Sequence, residues 1–133
     1  MYVLFREDMI DSKEIAGLIN KDTDFRVETD LTKATKREDV MSFKLSISVE
    51  NIDADIPFNW ESDDSVDTYF SYAEALTKNF LQYFPKYTIQ CSQAYKWDEN
   101  ENRIYLVVVI SNIDIKLKKL KLDILKRMMN QVD

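Results

Sequence analysis

Between residues 41 and 49 apolar and polar side chains alternate without a break: Met41, Phe43, Leu45, Ile47 and Val49 against Ser42, Lys44, Ser46 and Ser48. Such a run buries one side and wets the other only as a β-strand, so the chain must build at least one sheet. Phe25, Val27, Thr29 and Leu31 alternate in the same way with Arg26, Glu28 and Asp30, which predicts a second strand with one wet face. The phase then reverses. Ile52, Ala54, Ile56, Phe58 and Trp60 are apolar at even positions, so a tight turn or a bulge at Glu50 and Asn51 must separate the two sets. The reading taken is a hairpin whose second strand, 52–60, lies at the sheet edge because Pro57 cannot donate a ladder bond; one long bent strand is the rival.

From residue 66 to 84 the period changes to 3.6. Val66, Tyr69, Phe70, Ala73, Leu76, Phe80, Leu81 and Phe84 share one arc, Asp67, Ser71, Glu74, Lys78 and Gln82 the other, and Pro85 stops the helix. Asp63, Asp64 or Ser65 is expected to cap it. A shorter helix is predicted over 12–20, with Asp11 and Glu14 at capping-box spacing, after a short strand over 2–5. Tyr87, Ile89, Cys91, Tyr95 and Trp97 are expected on one face of a further strand. A turn at 98–102 leads to residues 104–110, apolar throughout, which read as a central strand covered on both sides. Residues 113–118 fit either an extension of that strand or the start of a last helix. Helix former content favours a helix over 114–131, although Lys118 and Lys121 intrude on its apolar arc.

These elements predict one α+β domain over residues 1–133: an antiparallel sheet, in the order β-α-β-β-β-α-β-β-α, backed by two longer helices. The length and an apolar content of 45% suffice for one ordinary core. A single cysteine closes no internal disulfide, and the N-terminal stretch runs into Arg6, Glu7 and Asp8, not into an apolar signal core, so a cytoplasmic protein is expected. The longest apolar run is far short of the roughly 20 residues that cross a bilayer, so no membrane partner is expected.

Catalytic chemistry is constrained by what the chain lacks. It has no histidine, one cysteine (Cys91) and one glycine (Gly17, inside a helical pattern), which removes serine and cysteine triads, zinc clusters, dithiol redox pairs and glycine-rich phosphate loops. Asp53 and Asp55, with Glu61, Asp63 and Asp64, could hold Mg²⁺ or Ca²⁺, but on a strand the first two would share a solvent face. Asp98, Asn100 and Asn102 match the first ligands of an EF-hand loop, whereas Arg103 and Val109 stand where glycine and glutamate are required. Neither catalytic nor metal-ligating residues are expected, nor a cofactor, and the chain is read as no enzyme. Cys91 reads as a small core residue.

Charge is distributed unevenly. Residues 45–77 hold eight carboxylates and no lysine or arginine, in a chain whose net charge is -6, while Lys116, Lys118, Lys119, Lys121, Lys126 and Arg127 crowd the end. An acidic chain disfavours direct nucleic-acid binding. A one-signed field without interspersed bases raises encounter rates with a basic partner instead, for which a protein surface that otherwise grips nucleic acid is one fit. The expected partner surface comprises Asp53, Asp55, Phe58, Trp60, Glu61, Asp63, Asp64, Asp67 and Glu74. The expected function is protein binding of the inhibitor, immunity or chaperone type by a homodimer. The alternatives are a phage or mobile-element virion or assembly component, and a nucleotide-signal sponge. The element order, without any residue motif, resembles that of the type III secretion chaperones, which implies a homodimer that wraps an unfolded effector segment.

Overall fold

The computed structural model of the chain describes residues 1–132, and the expected α+β class is what it shows. A hairpin of β1 (Tyr2–Phe5) and β2 (Asp8–Asp11) leads into α1 (Ser12–Asp22). The main sheet takes β3 (Phe25–Asp30), β4 (Val40–Ser48), β5 (Thr88–Asp98) and β6 (Arg103–Asn112) in the order β3-β4-β6-β5, every neighbouring pair antiparallel. Between β4 and β5 lies α2 (Asp63–Leu76), and a last helix covers 117–129.

The alternation in β4 and β6 determines what each side of the sheet meets. Phe43 lies opposite Val108 and Leu45 opposite Leu106, and these side chains enter the larger core with Ile15 and Ile19 of α1 and Tyr69 and Ala73 of α2. Phe80 is fully buried there and meets Phe25 edge-on, with ring centroids 5.2 Å apart. On the other side Val107 and Val109 pack with Val40, Cys91, Leu120, Ile124, Leu125 and Met128, so β6 is covered on both faces as expected. The last helix therefore dries half of the side that the alternation marks as wet. Ser42 is fully buried for this reason, and its hydroxyl donates to the Val108 carbonyl at 2.9 Å.

Five expectations are corrected. No strand forms over 52–60: after a 3-10 turn, Val49–Asn51, the chain runs irregularly to the helix. Both sides of β4 are already paired, with β3 and β6, so an alternating segment next to it has no ladder to join. The observed order is β-β-α-β-β-α-β-β-α, with β2 unforeseen, and the order that carried the likeness to the secretion chaperones is not the one found. Second, α-helix gives way to a 3-10 turn at Thr77–Tyr83, where the Thr77 hydroxyl donates back to the Glu74 carbonyl at 2.6 Å. Third, the cap of α2 is Ser62, whose Oγ accepts from the Ser65 amide; Asp63 and Asp64 occupy the first turn.

Fourth, a bulge at Tyr95 splits β5. Ala94 opposes Leu106 and Lys96 opposes Tyr105, so Ile89 and Cys91 face the last helix while Trp97 turns to the larger core. Fifth, residues 113–116 neither extend β6 nor begin the helix. The Asn112 side chain accepts from the Asp114 amide at 2.9 Å and turns the chain, and the helix starts at Leu117. Its middle, Leu120–Leu125, is wound as a wider π-helix, which carries Leu120, Ile124, Leu125 and Met128 inward and leaves Lys118 and Lys121 exposed.

Both sheet edges are blunted. On β3 the Val27 amide is taken by the Asn20 side chain at 2.8 Å, next to a register shift at Glu28; on β5 the Ala94 amide is taken by Glu74 Oε2 at 2.8 Å, next to the Tyr95 bulge.

Candidate partner-binding surface

The acids expected on an edge strand sit instead on a loop clamped to α2. Ser65, which is buried, accepts from the Asn59 amide at 2.9 Å and donates to the Pro57 carbonyl at 3.0 Å; the Tyr69 hydroxyl donates to the Ile56 carbonyl at 2.7 Å. Two helix hydroxyls thus replace the missing ladder. Phe58 is folded beneath the loop, its ring 5.0 Å from Tyr69 and 5.2 Å from Trp97. Trp60 lies above, stacked at 15° on Trp97 with centroids 6.3 Å apart, and stays 59% exposed. Trp97 is itself held by its indole N–H, which donates to Asn102 Oδ1 at 2.9 Å.

Of the nine residues expected to bind a partner, seven are presented outward: Asp53, Asp55, Trp60, Glu61, Asp63, Asp64 and Asp67. None of these six carboxylates forms an ion pair among the described residues. Elsewhere five acids are matched within the chain, Asp11 with the N-terminus, Glu28 and Glu101 with Arg26, Asp39 with Arg37 and Asp114 with Arg6, while exposed acids such as Glu7, Asp22, Asp24 and Glu99 form no ion pair among the described residues either. Hydrogen bonding to those cations holds Asp11, Asp39, Glu101 and Asp114 below the usual carboxylate range. The other two are half-buried and otherwise engaged: Phe58 packs under the loop, and Glu74 accepts from the Ala94 amide through Oε2.

The pattern of alternation missed a second polar cluster, on the half of the sheet that the last helix leaves uncovered. Arg26 bridges Glu28 and Glu101; Arg103 Nε donates to Ser46 Oγ at 2.9 Å, and Ser46 Oγ donates to Glu28 at 3.2 Å. Lys44 and Lys96 sit 5.4 and 4.8 Å from the centre of the Tyr105 ring. That ring is 6% exposed, so its faces are occupied by lysine stems and offer no open platform for a base. Its signal in the sequence was the polar row at even positions of β3 and β4, Arg26, Glu28, Lys44 and Ser46, which meets Lys96, Glu101 and Arg103 only once the register is known.

Among the described residues no group of three or more histidine, cysteine, aspartate or glutamate side chains is placed to hold a metal ion, and no helix is long and apolar enough to cross a membrane. Cys91 is buried, and burial pushes its thiol up to about 11. Compared with protein-family models, with curated proteins and with solved structures, the chain matches none.

Proposed function

We propose that this protein is a non-enzymatic, cytoplasmic protein-binding module of the inhibitor, immunity or chaperone type, and that the clamped loop and the first turns of α2 engage a basic surface of its partner. The observation that carries this reading is the pairing of a braced, exposed Trp60 with six clustered carboxylates that form no ion pair among the described residues.

Magnitudes assign the roles. Exposed ion pairs contribute about 0 to 1 kcal/mol each, so the acids supply steering and selectivity more than affinity. Covering the open part of a tryptophan, on the order of 150 Å², contributes about 3 to 4 kcal/mol, which makes Trp60 the anchor inside a charged rim. The test is capture from native lysate with Asp53, Asp55, Asp63 and Asp64 all replaced by lysine, and separately with Trp60→Ala. Both variants should keep the native circular dichroism spectrum. Each should lose the basic proteins that the wild type retains at low salt; unchanged recovery by the lysine variant sinks the reading.

A further inference from the structure

The last helix turns an unusual face outward. Ile113, Leu117 and Leu122 are 56%, 46% and 57% exposed, and they stand among Lys116, Lys118, Lys119 and Lys121. None of these lysines forms an ion pair among the described residues, and of the nearby acids Asp114 is already held by Arg6 at 3.0 Å. Leu122, beside Lys116, Lys118, Lys119 and the exposed Asp123, and Leu117, beside Lys121, are the counterpart of Trp60, Ile56 and Tyr72, which are exposed among carboxylates on the same chain. Each copy therefore carries both halves of a complementary pair: apolar centres to bury against each other and rims of opposite sign.

We infer that the leucine-bearing basic face of the last helix docks on the acidic Trp60 surface of a second copy of this chain. This rests on the reading of the acidic surface given above and names its basic partner as the protein itself. Two copies related by a two-fold axis make the contact twice, which closes the assembly at a dimer; without that axis the contact propagates. The blunted edges of β3 and β5 oppose strand addition to the main sheet.

Sedimentation velocity on the full chain tests it. Wild type at a few hundred micromolar should associate near 50 mM salt and dissociate near 1 M, as rim charges are screened. An acid-face variant, with Asp53, Asp55, Asp63 and Asp64 changed to lysine, should be monomeric. So should a helix-face variant with Lys116, Lys118, Lys119 and Lys121 changed to glutamate. Mixing the two should restore association, because each supplies the face that the other has reversed. Leu122→Ser, which leaves every charge in place, should weaken the wild-type association at least tenfold.

A monomeric wild type at low salt overturns the inference, and so does association that survives both reversals or a mixture that stays monomeric. A wild type that stays monomeric while its lysines bind vesicles of anionic phospholipid, or an oligonucleotide, overturns it too. The reading of the acidic surface fails separately: if wild type is monomeric yet lysate capture still depends on the carboxylates, only the second-copy assignment falls.

Discussion

Ser65→Ala removes the oxygen that clasps the acidic loop to α2, and its consequences can be worked out in advance. The hydroxyl accepts from the Asn59 amide and donates to the Pro57 carbonyl, at 2.9 and 3.0 Å. Two net hydrogen bonds contribute about 2 kcal/mol, and alanine returns up to about 0.5 kcal/mol through better helix propensity, leaving a loss of about 1.5 kcal/mol. For a domain of this size that corresponds to a fall in melting temperature of about 5 to 8 °C. Urea unfolding should show the lower midpoint at an unchanged slope, since the surface exposed on unfolding is the same. Amide exchange adds a local readout: protection at Asn59 should collapse while that at Val107 and Val109 in β6 falls only by the global loss. A change under about 0.5 kcal/mol, or an Asn59 amide as protected as before, would refute the argument that this hydroxyl holds the loop.

Glu74→Ala frees the Ala94 amide at the β5 edge; a cost of about 1.5 to 2 kcal/mol in urea melts and increased light scattering on heating are expected, and unchanged values would show the edge is protected otherwise. Cys91, with its thiol raised to about 11 by burial, should resist a disulfide reagent at pH 8 in the native state and react with one equivalent in guanidinium; rapid native labelling contradicts its placement against the last helix. Arg37 holds the Asp39 carboxyl below its ordinary value by a two-pronged contact at 2.9 and 3.0 Å. The folded value is the lower one, so this contact stabilises above the unfolded value, about 3.9, and is lost as pH falls through the folded value. Arg37→Ala should move the Asp39 titration upward in carboxyl NMR and flatten the acid limb of the stability curve; an unmoved titration rejects the pairing.

How far residues alone led is clearest at three places. Residues 41–48 and 104–110 occupy strands on opposite sides of one ladder, and every apolar position assigned to the core in 41–49 is buried, because period and hydrophobicity are properties of the local chain. The segment 52–60 alternates just as clearly and is no strand. A strand requires a partner with free ladder groups, and β4 has none left. Past Ala94, a single extra residue in β5 sends Trp97 to the opposite side and so creates the brace under Trp60. No pattern within β5 announces that bulge, since it is a feature of the pairing with β6.

The charge asymmetry of residues 45–77 and of the last helix is written in the composition, and with it the expectation of a basic partner. Which acids remain available was decided only by the fold. Glu74 lies seven residues beyond Asp67, on the same helix, yet one caps a strand amide while the other faces solvent. Local chemistry determined which residues could be buried, paired or exposed. Tertiary structure determined which of those options each took, because hydrogen-bond partners, counter-charges and covering helices come from segments distant in sequence, and a polar group is spent or free according to what arrives beside it.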